Sequence, residues 1–267
     1  MVSPVLIAVP VTVLPAVGAL WYLLKRYEDY FEDAKVFLAL VFGFFGGLFA
    51  IFMEMTAFPF AHPQFIDAMG VGTAFAFFIG AYAFFETGCK TIILGMRRFR
   101  GRKDTPYYGA ALGLGFGAMM ALGFVAINLN AVDANAAAQN VTAERFAYSA
   151  PSFLAMAALP LGAIFVHGAA GVFVGRGSAE GKLVKGWGIG ALVQLPVLVA
   201  YWLFWPSIGR GDVIVLVPAV ASVLYGLVLM HLVRTRILDT IVPKEIQDLV
   251  RRERRREARR RREAEEE

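Results

Sequence analysis

The sequence predicts an all-α membrane protein: a bundle of seven transmembrane helices with its N-terminus outside and a charged cytoplasmic helix at the C-terminus. Three observations predict it. Of the 267 residues 58% are hydrophobic, with 23 Phe and a mean hydropathy of +0.60, more apolar surface than a soluble fold of this size can hide. The charged residues gather in short clusters between apolar stretches of about 20 residues, the length a helix needs to cross hydrocarbon. Lys and Arg also concentrate in alternate loops.

Taken in order, the first span is Pro4–Leu24. It lacks a basic leader, and Lys25 and Arg26 follow it, so it reads as an uncleaved N-out anchor rather than a signal peptide. The second, Val36–Phe58, comes after Lys35. The third, Ala68–Gly95, runs into Arg97, Arg98, Arg100, Arg102 and Lys103, and the fourth is Tyr108–Val132. The fifth, Ala150–Gly175, ends at Arg176, with Lys182 and Lys185 before the sixth, Gly186–Trp205; the seventh is Val213–Val233. Twelve more Lys and Arg follow it, whereas the intervening loops hold only Arg145 and Arg210, so every alternate loop obeys the positive-inside rule. This places the chain in the plasma membrane with its basic loops in the cytoplasm. Trp21, Tyr22, Tyr107, Tyr108, Tyr148, Trp202 and Trp205 fall near span ends, where amphipathic rings favour the interface.

Residues 1–242 thus form the transmembrane domain and residues 243–267 a basic tail helix. The glutamates in that tail cancel much of its arginine charge, which argues against specific nucleic-acid binding; contact with anionic lipid, or plain solvation, suits it better. The lone Cys89 rules out an intramolecular disulfide and cysteine-ligated zinc. Asn140-Val141-Thr142 is a sequon in an external loop.

An ionisable group inside a span costs several kcal/mol unless paired or wet, which makes each one a candidate for function. Glu86 and Lys90 lie on the third span, His167 on the fifth and Gln194 on the sixth. Counting helix rise from the nearest basic residue puts Glu86 about 16 Å from Arg97, His167 about 14 Å from Arg176 and Gln194 about 14 Å from Lys185. Three helices therefore present polar groups at one depth. Glu54 counts to about 28 Å from Lys35 and is assigned to a separate external layer with Asn128 and Asn130; His231 sits at the interface. Glu86 and Lys90, four apart, share a helix face in the favourable order for an ion pair. The glycine-rich run Gly109 to Gly117, with Gly168, Gly171 and Gly175 after His167, lets the fourth helix approach those carrying Glu86 and His167.

Three segments in this order resemble the PrsW and YhfC branches of the CAAX-protease-like intramembrane metalloproteases. Glu86-Thr87-Gly88-Cys89-Lys90 matches a Glu-Glu-x-x-Lys/Arg motif with Thr87 in place of one carboxylate. Gly113-Leu114-Gly115-Phe116-Gly117 matches the glycine-rich segment, with Met120-Ala121 where a Glu-Asn is expected, and His167 matches the histidine helix. The resemblance, covering about Ala83 to Gly175, implies attack of activated water on a peptide bond of a membrane-protein substrate. It implies Glu86, Lys90 and His167 as catalytic residues, and zinc on Glu86 and His167. The missing acids imply a diverged member whose metal site is incomplete or whose catalysis is lost. Two other classes fit the same residues: a small carrier using Glu86, Lys90 and His167, and a non-catalytic subunit that docks partner subunits. A retinal protein does not fit, because the seventh span has no lysine.

Overall fold

In hydrocarbon a chain must satisfy its own backbone, and long apolar runs do so as helices. The computed structural model describes residues 4–27, 30–56, 70–138, 150–204, 216–250, 252 and 256; among these there is no strand. The helices are α1 (Pro4–Leu24), α2 (Asp33–Thr56), α3 (Val71–Leu94), α4 (Thr105–Ala138), α5 (Ala150–Ala179), α6 (Leu183–Phe204) and α7 (Leu216–Leu232). α7 continues through a π-helical turn, Val233–Leu238, into Asp239–Ile241. Among the described residues six helices, α2 to α7, are long and apolar enough to cross a membrane, and α1 contributes a shorter apolar stretch, Val9–Leu24.

α4 and α5 form the centre. Their apolar windows are 67% and 72% buried, against 28–33% for the other four, which leaves those four to face lipid. α5 is flanked by α4, α6 and α7, and α4 by α5, α2 and α1, while α3 packs chiefly on α6. The α4–α5 contact is backbone to backbone. A Cβ on Gly113 would collide with the His167 carbonyl, and one on Gly109 with the Gly171 carbonyl. Small residues permit that approach. The glycine-rich helix thus meets the His167 helix as expected, but its other face, at Gly115, packs on Leu40 of α2 rather than on α3.

Polar contacts gather the basic loops at one end of the bundle. Arg102 Nη2 donates to Glu32 Oε1 (2.6 Å) and Arg26 Nη1 to Asp239 Oδ2 (2.5 Å), while Ser178 Oγ donates to the Leu94 carbonyl (2.8 Å). Residues 244–250 are helical, and Gln247 Nε2 donates to the carbonyls of Asp239 (2.7 Å) and Val242 (2.8 Å), which ties the start of the tail to the bundle. The sequon, Arg145, Arg210 and most of the arginine-rich tail lie outside the described residues, as do the side chains of Asn128 and Asn130.

Candidate functional site

Glu86, Thr87 and Lys90 on α3, His167 on α5 and Gln194 on α6 are all buried. The α3–α6 and α3–α5 contacts bring them together. Gln194 Nε2 donates to the Ala83 carbonyl (3.1 Å) and to Thr87 Oγ1 (2.6 Å), one turn apart on α3. Its Oε1 accepts from Lys90 Nζ at 2.7 Å. Lys90 Nζ also lies 2.9 Å from His167 Nδ1 and 4.0 Å from the centre of the Phe116 ring. An ammonium has three donors, and here it meets an amide oxygen, an imidazole nitrogen and an aromatic face. The ring of His167 in turn packs against Phe116, their centroids 5.3 Å apart.

The spacing of Glu86 and Lys90 suggests an ion pair between them. No ion pair among the described residues joins them; Lys90 is held by Gln194 and His167 instead. Glu86 faces the far side of the imidazole, with Oε2 3.7 Å from His167 Nε2. That separation is too long for a hydrogen bond. Glu86 Oε2 is buried and has no hydrogen-bond partner.

Glu54 belongs to this site, which corrects its assignment to a separate external layer. Its carboxyl is within hydrogen-bond reach of Glu86 and within electrostatic reach of Lys90. Rise along a helix axis measures where a Cα sits, not where a side chain ends. Cβ bonds tilt toward a helix N-terminus, so on successive antiparallel helices the Glu54 and Glu86 side chains lean toward each other and close much of the offset of about 12 Å in the count. Glu54 is the only acid in the apolar run of α2, and a lone intramembrane acid needs a partner; that signal was present in the sequence. Its Oε1, like Glu86 Oε2, is buried without a partner. Tyr82 stands within electrostatic reach of both carboxyls and Tyr201 within reach of Glu86; nothing in the sequence marked either tyrosine, and Phe116 was marked only as part of the glycine-rich segment.

Two carboxylates are both acceptors, so Glu54 and Glu86 could bond to each other only by sharing one proton. With that proton, an ammonium at Lys90 and a neutral imidazole, the centre would carry no net charge, which burial favours. For the metal that the resemblance implies, Glu86 and His167 are close, but among the described residues no group of three or more His, Cys, Asp or Glu is arranged to hold an ion.

Comparison with known proteins supplies no relative: no family model matches the chain, and neither a curated protein nor a solved structure matches it.

Proposed function

We propose that this is a seven-span plasma-membrane protein, N-terminus outside and basic end in the cytoplasm, diverged from the PrsW/YhfC-like intramembrane proteases. In this reading its centre hydrolyses a peptide bond by metal-free acid–base chemistry. The observation that carries the reading is Glu86 Oε2, buried without a hydrogen-bond partner 3.7 Å from His167 Nε2, at the end of an otherwise satisfied polar cluster.

Zinc does not fit this donor set. A ligating imidazole binds through an unprotonated nitrogen and gives its other N–H to an acceptor. Here Nδ1 faces Lys90, and an ammonium offers only donors. With Lys90 donating to Nδ1, the neutral ring carries its proton on Nε2, next to Glu86.

The chemistry follows from that polarity. Glu86 takes a proton from water as its oxygen bonds to the scissile carbonyl carbon, and His167 Nε2–H donates to the oxygen that becomes negative. Glu86 then returns the proton to the leaving nitrogen as the C–N bond breaks. Glu54 holds the proton it shares with Glu86 throughout, which keeps the centre neutral before water binds.

The test is cleavage of a fluorogenic single-span peptide by the purified full chain in vesicles. Wild type cleaves, with or without a chelator, and Glu86→Gln does not. Loss of cleavage on chelation overturns the metal-free mechanism. Absence of cleavage together with proton movement across the vesicle favours the carrier. Topology is read by labelling single cysteines at Asn135 and Arg100 in a Cys89→Ser background: the first labels in intact cells and the second only after permeabilisation, and equal labelling overturns the orientation.

A further inference from the structure

We infer that Gln194 is a positioning residue which, through Lys90, fixes the proton of His167 on Nε2. The argument starts from an acceptor that cannot change its role. The Ala83 carbonyl only accepts, so the group of Gln194 facing it at 3.1 Å is the amide NH₂, and the same NH₂ reaches Thr87 Oγ1 at 2.6 Å. Gln194 therefore cannot flip without setting its carbonyl oxygen against another oxygen. Its Oε1 thereby accepts from Lys90 Nζ at 2.7 Å, with the His167 ring also within reach of the Gln194 side chain.

Lys90 inherits its own orientation. With one N–H on Gln194 Oε1 and the cation over the face of Phe116 at 4.0 Å, the remaining N–H is directed to His167 Nδ1 at 2.9 Å. The aromatic face of Phe116 interacts favourably with a cation placed over it. An Nδ1 that accepts leaves the neutral ring one place for its proton, Nε2, on the side of Glu86. The chain of commitment runs from a backbone carbonyl of α3, through an amide of α6 and an ammonium of α3, to the imidazole of α5. It also gives Thr87 a role: Oγ1 accepts from Gln194 as a carboxylate oxygen would, but adds no second negative charge.

The catalytic value of this arrangement rests on the hydrolytic reading above; the tautomer itself does not, and it is measured without substrate. The full chain is labelled with ¹⁵N-histidine in a His62→Gln, His231→Gln background, so that His167 is the one remaining signal, and its two ring nitrogens are read by NMR in detergent at neutral pH. The expected spectrum has a protonated Nε2 and an unprotonated, acceptor-type Nδ1. In Gln194→Leu and in Lys90→Met the two nitrogens move toward a common, averaged shift as both tautomers become populated. A wild-type ring protonated on Nδ1, or on both nitrogens, overturns the inference, as does a spectrum that Gln194→Leu leaves unchanged. If a variant does not fold, the wild-type spectrum still decides between Nε2–H and the alternatives. The expected spectrum in a protein that fails to cleave peptides would refute the hydrolytic reading alone.

Discussion

Two polar clusters in this chain are built from similar groups and differ in whether they close. At the basic end, the Glu32 backbone N–H donates to the Tyr108 hydroxyl (3.2 Å), which donates to Asp104 Oδ2 (2.5 Å). Asp104 accepts both Nε and Nη2 of Arg102, and Arg102 Nη2 returns to Glu32 Oε1 at 2.6 Å. The ring is complete, and every carboxylate in it meets a fixed donor. In the membrane-embedded centre the chain Thr87–Gln194–Lys90–His167 is equally well made, but it stops at Nε2, 3.7 Å short of Glu86. Beyond that point two carboxyl oxygens are buried without partners. An unmet polar group in a low-dielectric site costs free energy that a closed ring does not. The closed cluster staples loops; the open one is where chemistry can happen.

The sharpest way to break the comparison is Glu86→Gln. In the open cluster it removes the base, and cleavage falls on the order of 10²–10⁴-fold, the usual contribution of a general base. The amide still offers Glu54 a hydrogen bond, so the thermal unfolding midpoint in detergent stays within a few degrees of wild type. Unchanged cleavage would mean that the unpartnered oxygens do no work.

Gly113→Val sharpens it from the packing side. The new side chain meets the backbone of α5 at the His167 carbonyl, which cannot give as a flexible side chain can. We expect a loss of about 3 kcal/mol and a displaced imidazole, seen as a lower unfolding midpoint together with lost cleavage. Gly80→Val, where an added Cβ meets nothing, serves as the control and leaves both unchanged. Equal behaviour of the two variants would show that the α4–α5 contact does not hold the centre.

Much of this was legible in residues. Helical membrane architecture followed from apolar length, and the helix bounds observed for α1 match the expected span. The convergence of Glu86, His167 and Gln194 followed from matched depth on three helices. What sequence could not give was direction. Spacing placed Glu86 and Lys90 on one face but could not say that Lys90 reaches past Glu86 to α5 and α6, because that depends on where Gln194 and Phe116 stand across helix boundaries. Glu54 was assigned to the wrong layer for the same reason: depth was counted along the axis, without the tilt of side chains toward the helix start. The closed ring at the basic end was invisible because Glu32, Arg102, Asp104 and Tyr108 look like ordinary loop and interface residues until two loops are brought side by side.

A smaller effect is expected from Asp104→Asn in the closed cluster. It keeps the shape of the side chain, removes the charge that Arg102 pairs with bidentately, and leaves one donor facing donors. The cost is about 1–2 kcal/mol, that of a hydrogen bond to a charged group in a partly buried place, read as a lower unfolding midpoint. Cleavage per folded molecule is unaffected, since Asp104 stands just before α4, twelve residues and about 18 Å of helix rise from Phe116 at the centre. A loss of turnover without a loss of stability would reverse the roles assigned to the two clusters.

The smallest effect is the pH dependence of that same cluster. Burial of the Asp104 carboxyl works to raise its pKa, but hydrogen bonds from Arg102 and Tyr108 and the guanidinium charge outweigh it and hold the group below the usual carboxylate value. A carboxyl held lower in the folded state contributes stability that is fully present above its unfolded pKa of about 3.9, and that contribution is lost as pH falls through the folded value. From pH 7 to about 5 the gap in unfolding midpoint between wild type and Asp104→Asn is therefore constant, because Asp104 is ionised in both folded and unfolded wild-type chains. Below about pH 4 the gap narrows, as unfolded wild type begins to take up a proton that the variant has no site for. The change is modest, since Arg102 and Glu32 are well exposed and solvent screens their charges. A gap that widened on acidification would mean that Asp104 is held protonated in the folded protein, and the ring would then be a second open cluster rather than a closed one.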